Sequence, residues 1–444
     1  MLDFINEHIA LCCLPLIVFI IGGYLAIKMR IFTPKCFKCA LSSLFSKNER
    51  DGISPVSALC TALAGTLGVG NIAGVAVAIS LGGPGAVFWM WVSALFSLSL
   101  KYTETVLAVK YRKIEGADIC GGPMYYIFYG LGNKRLANIF CILCITSSLC
   151  SGCIIQSNSA SVAMYRSFGI PHAITGLFLG ILCGVIVLGG IKSISRFTSI
   201  VIPITSAVFF ALSLIAVCMS IDKLPYILSM IFKNAFGIQQ ISSGICGFSV
   251  RYAIKHGVVK SSLSHEAGSG TSTISHAASN TKSPVEQGFL GIFEVIADTL
   301  IMCTVTALVI LCAYPQVSFA GSYSGVDITS GAYGEFFGVH GETIISSAVL
   351  LFAFATVICQ SYYGVSCVSF LTKNKNWHTF YVLAYCVCTV LGSVITFEFM
   401  WRLTDLFTCC MIFLNVYAIL RLSGEAEYET VKYYSKINQR CKLR

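Results

Sequence analysis

Glycines interrupt an apolar segment of the chain at positions where a membrane-spanning helix should be regular. In the run ALAGTLGVGNIAGVAVAISLGGPGAVFWM, four glycines stand close together with one asparagine among them; they are Gly65, Gly68, Gly70, Gly74 and Asn71. Backbone groups in hydrocarbon must be paired within the protein, so an unwound stretch at this depth survives only where it is buried or lines a cavity. There its bare N–H and C=O groups can bind an ion or a polar solute.

A second interrupted segment follows later, in the run ISSGICGFSVRYAIKHG. Ser243, Gly244 and Gly247 lie close together there, which predicts a second break over 243–247. Glycines in membrane helices also permit close packing between helices, and either segment taken alone fits that explanation. Two such segments, each leading one half of the chain, favour a pair of broken helices around a solute site.

Polar side chains inside the apolar runs are few, and most have a structural explanation. Lys101 and Glu104 stand one helical turn apart and are expected to pair locally, as a structural or gating pair. Asp298 is interpreted as structural, although an intramembrane carboxylate is a functional candidate by default. Gln156 carries an amide that can bond a neighbouring helix or hold an ammonium or carboxylate group. Thr356 carries a hydroxyl that can help to coordinate a small cation.

The sequence contains no pattern expected of an enzyme or of an ATP-driven pump. His265 and Glu266 begin like a zinc-protease motif, but position 269 is a serine where that chemistry needs a second histidine. The glycines at 65, 68 and 70 have no flanking strand and no acidic ribose ligand, so they do not form a dinucleotide-binding loop. We find no phosphate-binding loop and no nucleophile–base arrangement, and we expect neither enzymatic activity nor a bound cofactor.

The elements that must position these residues are membrane-spanning helices. Of the 444 residues, 56% are hydrophobic and 11% are charged, and the mean hydropathy is +0.79; a soluble domain has about 25% charged residues. Apolar runs long enough to cross about 30 Å of hydrocarbon recur along the chain. They predict an all-α polytopic membrane protein with about eleven spans, at roughly 9–28, 54–80, 84–110, 137–165, 172–190, 197–220, 238–258, 287–313, 342–371, 378–396 and 399–421.

The net charge of +10 reflects membrane topology and does not indicate nucleic-acid binding. If the N-terminus lies outside, only four of the 30 Lys and Arg residues face outward, namely Arg166, Lys223, Lys233 and Arg402. This distribution is the positive-inside bias of membrane proteins. It predicts a multi-pass protein of the bacterial cytoplasmic (inner) membrane, with its N-terminus outside and its C-terminus inside.

The predicted spans divide into an anchor and two equal halves. We expect an N-terminal anchor helix and a basic cytoplasmic loop over 1–50, a core over 51–422 and a cytoplasmic tail over 423–444. Ten spans of the core divide into five and five, over about 51–221 and 238–422. With five spans in each half, the two broken helices run in opposite directions, as in the inverted repeats of secondary transporters.

Two segments between the spans have their own character. Residues 222–237 have the pattern of an amphipathic helix on the outer side. Residues 260–285 are rich in Gly, Ser and Ala, and we interpret them as too polar to span the membrane and as a short helix under the bundle, near an inner gate. The 22 cysteines lie mostly within apolar spans, where a free cysteine packs as a small hydrophobe, so we expect no disulfide framework.

Seven short strings occur in a fixed order over roughly residues 50–420. They are ALAGTLGVGNIAGVAVAI, GGPGAVFWMWV, GGPMYYI, QSN from Gln156, HEAGSG from His265, DTLIMCTVTALVIL from Asp298 and FAFATVICQSYYG from Phe352. Together they resemble the alanine/glycine:cation symporter family. The resemblance implies a leucine-transporter-like fold of ten core helices in two inverted five-helix repeats. It also implies sodium-driven uptake of small neutral amino acids, usually alanine or glycine.

The resemblance further implies which groups hold an amino acid. The backbone at Val69 and Gly70 would bind the carboxylate, helped by the positive end of a half-helix dipole. The carbonyl near Thr66 and the amide of Gln156 would hold the ammonium, together with the second break. Asn71 would brace the first break.

The same resemblance implies a sodium site. Sodium is a hard cation that prefers oxygen ligands, and it would take the carbonyls of Ala64 and Leu67. Further oxygens would come from Phe352, Ala355 and Thr356. Of these three residues, only Thr356 has a side-chain oxygen to offer.

The chain departs from the family pattern at several of these positions. Val69 stands where the family usually has threonine, and Ala355 replaces a usual hydroxyl, which removes one candidate sodium ligand. Gln360 replaces a tryptophan that would wall the pocket, and this change would admit a larger or more polar solute. His265 replaces an asparagine. These departures affect the substrate and the coupling ion more than the fold.

The sequence therefore predicts a secondary symporter that imports a small neutral amino acid, alanine or glycine, with a sodium gradient by alternating access. The alternatives are a proton-coupled or uncoupled amino-acid exchanger and a transporter-derived amino-acid sensor. The expected partners are the amino acid, sodium and the lipid bilayer, without nucleic acid. The sequence does not define an oligomeric state.

Overall fold

The computed structural model of the protein describes residues 11–31, 53–115, 118–237, 246–314, 325–395 and 398–442. Within these ranges the chain is helical except for one short hairpin. Its two strands, β1 (Lys113–Glu115) and β2 (Asp118–Cys120), pair antiparallel with Ile114 opposite Ile119. The all-α class predicted from the sequence is confirmed.

The anchor and the first half contain nine helices in the described part of the chain. They are α1 (Leu11–Lys28), α2 (Pro55–Thr66), α3 (Val75–Gly82), α4 (Gly85–Lys110), α5 (Pro123–Tyr129), α6 (Lys134–Ser147), α7 (Gln156–Phe168), α8 (His172–Leu188) and α9 (Gly190–Met219). Two π-helical segments, Gly70–Gly74 and Ser148–Ile155, lead directly into α3 and α7. Helix α2 begins at a defined cap, because Ser54 Oγ accepts a hydrogen bond from Ser57 N at 3.0 Å and Pro55 occupies the first turn, where its missing N–H costs nothing.

The second half follows after a short 3₁₀ turn, Ile221–Lys223. Its described helices are α10 (Leu224–Ala235), α11 (Cys246–His265), α12 (Thr273–Ala277), α13 (Pro284–Val295), α14 (Thr304–Ala313), α15 (Gly325–Phe337), α16 (Val339–Leu371), α17 (Lys375–Val394) and α18 (Glu398–Lys442). A π-helical segment, Ile296–Cys303, connects α13 to α14. Helix α10 occupies the predicted amphipathic segment 222–237.

The predicted spans coincide with these helices. Among the described residues, seven helices are long and apolar enough to cross a membrane, and the bent pair Pro55–Thr66 with Gly70–Gly82 makes an eighth span. Helices α1 and α8 are shorter but apolar. Helix α11 occupies the predicted seventh span and carries several basic residues.

The second break predicted over 243–247 falls largely outside the described residues. Gly247 lies in the first turn of α11, which begins at Cys246 and continues to His265. A further interruption lies over 266–272, between α11 and α12, inside the segment that we interpreted as a helix beneath the bundle. Its polar residues Ser269, Thr271 and Ser272 are buried, so a hydropathy pattern underestimates how deep this segment lies.

The helices that carry the interrupted segments lie at the centre of the bundle. Helix α4 packs against α11 and α13, and α16 packs against α2, α7 and α9. The large apolar residues left exposed lie mainly on the outer helices α1, α8, α9 and α17. In a bilayer these side chains face lipid, so the solute site has to be sought among the central helices.

Candidate functional site

The first broken helix loses its regular hydrogen bonding between Thr66 and Gly70. Helix α2 ends at Thr66, and the helical segment that begins at Gly70 is bent by 54° from it. The amide of Gly68 donates to Asn71 Oδ1 at 3.1 Å and not to the carbonyl of Ala64, its partner in a regular helix. The Ala64 carbonyl oxygen is therefore without its usual donor.

Asn71 fixes this break to the second half of the protein. Its Nδ2 donates to Asp298 Oδ1 at 2.7 Å and to Ser264 Oγ at 3.0 Å. Ser264 and Thr299 in turn donate to Asp298 Oδ2 at 2.8 and 2.7 Å. Asp298 is thus saturated with hydrogen-bond donors, and its structural interpretation fits these contacts. Asn71 therefore stabilises the broken segment by linking it to α11 and to the π-helical segment Ile296–Cys303.

The second interruption presents a half-buried carboxylate. Glu266 has a positive φ of 50°, and Gly268 and Gly270 follow with φ of 87° and 83°, a conformation that favours glycine. Glu266 Oε1 accepts a hydrogen bond from Gln360 Nε2 at 2.6 Å, and Glu266 Oε2 accepts one from the Thr271 hydroxyl. The carboxylate is therefore held between this segment and α16.

The two interruptions face a common cavity. Most of its lining side chains carry a hydroxyl, an amide or a carboxylate: Thr66, Ser147, Ser151, Gln156, Glu266, Ser269, Thr271, Thr356, Gln360, Thr404 and Thr408. Gly65, Gly70, Ile155, Leu263 and Met411 complete the wall. The volume of the cavity, measured as the space open to the centre of a water molecule, is about 70 Å³. A single water needs about 10–15 Å³ by the same measure. The cavity therefore exceeds the space that a single water needs and is small enough to suit a small solute.

The structure brings together only some of the residues predicted to bind substrate. Thr66, Gly70, Gln156 and Gln360 line the cavity, whereas Val69 and Asn71 are buried beside it. Gly247 lies in the first turn of α11. Ser243 and Gly244 lie outside the described residues.

The side chain of Gln156 already accepts a hydrogen bond from one of the two amides predicted to bind the substrate carboxylate. The amide of Val69 donates to Gln156 Oε1 at 3.2 Å. A carboxylate that binds the Val69 N–H must therefore displace this side-chain oxygen. Gln156 stands at the point where the first break meets α7.

The predicted sodium ligands are all buried, and α2 packs against α16. The Thr356 hydroxyl donates to the carbonyl of Phe352 at 3.0 Å, which leaves its oxygen lone pairs available to a cation. A Cβ added at Gly68 would lie 2.7 Å from Thr356 Oγ1, so this hydroxyl contacts the broken backbone directly. Ala64 and Ala355 contribute no side-chain oxygen, and only their carbonyls could take part.

A buried charged cluster supports the second interruption. Lys101 lies 3.3 Å from Glu104 and 3.5 Å from Glu294, and all three side chains are 0% exposed. The predicted local pair is confirmed, and Glu294 joins it. Lys101 Nζ also donates to Ser272 Oγ at 2.7 Å, and Glu104 Oε2 accepts from Gly268 N at 3.1 Å. The cluster thereby ties α4 and α13 to both ends of the interruption.

Comparison with known proteins shows what kind of protein contains this site. Residues 1–443 match the model of the sodium:alanine symporter family. The chain is 33% identical to the sodium/alanine symporter AgcS of Methanococcus maripaludis, over 94% of this chain and 93% of that protein. It is 32% identical to the probable sodium/glutamine symporter GlnT of Bacillus subtilis, over 88% of this chain and 80% of that protein. The chain belongs to the sodium:alanine symporter family.

Among solved structures, MhsT in complex with L-phenylalanine is similar to this member of the family, with a TM-score of 0.58 and 12% sequence identity. The similarity covers 86% of this chain and 93% of MhsT. At that identity it shows the fold alone, which is the leucine-transporter-like fold that the sequence predicted. The protein is a multi-pass membrane transporter and not an enzyme.

The sequence reasoning on this family member missed the polar half of the cavity. From the sequence we assigned no binding role to Glu266, Thr404 or Thr408. A signal was present for Glu266, since it stands two residues before Gly268, as Thr66 stands two residues before Gly68 in the first break. The threonines lie one helical turn apart on α18, a spacing too common in membrane helices to be informative.

Proposed function

We propose that this protein is a secondary active symporter that imports a small neutral amino acid, alanine or glycine, with an inward sodium gradient by alternating access. The observation that supports this most is the broken backbone over 66–70 facing a small polar cavity. Such a break offers amides and carbonyls that lack their regular helical partners, and a zwitterion requires both at its two ends. No covalent chemistry and no cofactor is needed.

In this proposal the carboxylate of the amino acid binds the amides of Val69 and Gly70, where the helical segment restarts. The first amides of a helix have no intrahelical partner, and the helix dipole favours an anion there. The ammonium takes the carbonyl of Thr66. Gln156 leaves Val69 when the carboxylate arrives and can then accept from the ammonium with its side-chain oxygen.

Sodium is proposed to bind on the other side of the same break. The carbonyls of Ala64, Leu67, Phe352 and Ala355 would coordinate it together with the Thr356 hydroxyl. Because the amino acid and the ion would share one unwound segment, each would organise the backbone for the other. Binding of one would then raise the affinity for the other by an equal factor.

Uptake by purified protein in proteoliposomes tests this proposal. Labelled alanine or glycine should accumulate when an inward sodium gradient is imposed, and accumulation should be lost in potassium buffer. Accumulation that follows a pH gradient without sodium would replace the proposal with proton coupling. Saturable binding without accumulation would replace it with a sensor or an uncoupled exchanger.

A matched pair of variants tests the ion site. Thr356→Val keeps the shape of the side chain and removes its oxygen, whereas Thr356→Ser keeps the oxygen. We expect Thr356→Val to raise the sodium concentration for half-maximal uptake by about tenfold, or about 1.4 kcal/mol, and Thr356→Ser to change it little. Equal sodium dependence in wild type and Thr356→Val would exclude this hydroxyl as a ligand.

We further propose that the transporter lies in the bacterial inner membrane with its N-terminus outside and its C-terminus inside. The support is the small number of outward-facing basic residues under this orientation. Reporter fusions at the two ends of the chain test it. Activity of a cytoplasmic reporter at the N-terminus would reverse the assignment.

A further inference from the structure

The cavity wall is far more polar than the side chain of alanine or glycine requires. Small-molecule sites are mostly apolar, with a few polar groups that fix the orientation of the ligand. Here the apolar side chains in the wall are only Ile155, Leu263 and Met411, among the described residues. The polar groups exceed what the two ends of a zwitterion can use.

The excess polar groups lie on α18 and on the helices that face it. Thr404 and Thr408 line the cavity from α18, and Ser147 and Ser151 line it from the end of α6 and the π-helical segment after it. These elements pack against one another. None of the four belongs to the broken backbone over 66–70, so this part of the wall faces the remainder of a bound amino acid.

Thr404 is the most informative of these residues. It is 4% exposed, and its Oγ1 is buried with no hydrogen-bond partner among the described residues. A buried hydroxyl without a partner is unfavourable, and a ligand that pairs with it relieves that cost. Gln360 adds an acceptor, because its Nε2 donates to Glu266 while its Oε1 accepts no hydrogen bond from the part of the chain that the structure describes.

We propose that the substrate side chain carries a hydroxyl, so that serine binds better than alanine at this site. The serine hydroxyl donates to Gln360 Oε1 and accepts from Thr404 Oγ1. This inference rests on the proposed function, since it names the preferred member of the proposed substrate class.

A site that pairs with a substrate hydroxyl discriminates strongly against the analogue that lacks it, because its own polar groups are then left unpaired. We expect serine to compete with labelled alanine at about a tenfold lower concentration than unlabelled alanine does. This factor corresponds to about 1.4 kcal/mol.

The test is competition binding to the purified full-length protein in detergent with sodium, with uptake into proteoliposomes measured in parallel. Thr404→Val removes the hydroxyl at constant shape, and it breaks no hydrogen bond with the described residues, so the fold should tolerate it. We expect the ratio of alanine to serine concentrations to fall from about ten to about one. Thr404→Ser should restore it.

A further variant controls for a general effect of replacing threonine with valine in this bundle. Thr146→Val changes a residue of α6 that does not line the cavity and whose hydroxyl bonds its own helix at Ile142 O. It should keep the wild-type ratio. Equal competition by serine and alanine in the wild type, or an unchanged ratio in Thr404→Val, would overturn the proposal.

The two assays separate this inference from the proposed function. Sodium-driven uptake of alanine without a preference for serine would refute the proposed serine preference and support the proposed symport. A preference for serine in binding, without sodium-driven uptake of either amino acid, would support the serine preference and refute the proposed symport.

Discussion

Gly68 is the position where one added methyl group should damage the proposed sodium site most directly. A Cβ at this position would lie 2.7 Å from Thr356 Oγ1 and 3.1 Å from Gln156 Oε1. Thr356 donates to Phe352 O and Gln156 accepts from Val69 N, so moving either side chain away would weaken or break one of these hydrogen bonds. The added methyl group of Gly68→Ala would therefore clash with a proposed sodium ligand, Thr356, and with a proposed substrate ligand, Gln156.

The size of the effect follows from these distances. To bring the contact with Thr356 Oγ1 from 2.7 Å to an ordinary 3.4 Å, the hydroxyl or the backbone at Gly68 must move by about 0.7 Å. Overpacking of this kind typically costs about 1–3 kcal/mol. If the cost appears in the ion-bound state, the affinity for sodium falls by roughly 5- to 150-fold.

The assay is alanine uptake into proteoliposomes over a range of sodium concentrations, with the folded fraction of each variant checked by size-exclusion chromatography. Gly74→Ala is the matched control, because a Cβ there meets no atom within 4 Å, and it should behave as wild type. Gly70→Ala separates an effect on amino-acid binding from an effect on sodium binding, because Gly70 lines the cavity. Its Cβ meets only Ser264 Cα at 3.9 Å, so it should weaken amino-acid binding while sodium dependence is retained.

The reasoning would be refuted if well-folded Gly68→Ala showed the same half-maximal sodium concentration as wild type. It would also fail if Gly74→Ala were as damaging as Gly68→Ala. In that case the glycines would matter for the flexibility of the segment as a whole, and not for the close approach at one of them.

Three further outcomes follow from the hydrogen-bond and charge networks. Lys101→Met leaves two buried carboxylates without their cation and should destabilise the protein by about 3–5 kcal/mol, measured as a lower midpoint of thermal unfolding in detergent. Asp298→Leu removes the acceptor of Asn71 and leaves buried donors unpaired, at about 1–3 kcal/mol each, so both thermal stability and uptake should fall. Arg166→Ala breaks an exposed 2.7 Å ion pair with Asp327 and should change stability by less than about 1 kcal/mol; a larger loss would show that this pair is part of a gate.

The sequence predicted the first break because glycine and asparagine stand out in an apolar run. The crowding at Gly68 explains why no larger residue serves there, and the hydrogen bonds of Asn71 explain the asparagine. Both features act within a few residues of chain, where pattern and structure are closely related. The resemblance to known transporters added the paired halves and the helix order.

The sequence pattern did not predict the interruption over 266–272. The segment after His265 is hydrophilic by composition, yet Ser272, Thr273 and Ser275 are almost completely buried. Their partners come from distant parts of the chain; Lys101, which bonds Ser272, is one example. Contacts between residues so far apart in sequence leave no local pattern. For the same reason the sequence does not predict that Thr404 lines the cavity.

The hydrogen bond from Val69 N to Gln156 Oε1 has an energetic consequence for the proposed binding of an amino acid. If a carboxylate binds the Val69 amide, it replaces an acceptor that this amide already has. The gain is then only the difference between a hydrogen bond to a charged acceptor, about 1.5–3 kcal/mol, and one to a neutral acceptor, about 1 kcal/mol. Such an internal surrogate keeps affinity moderate, and a carrier that must release its cargo on every cycle benefits from weak retention.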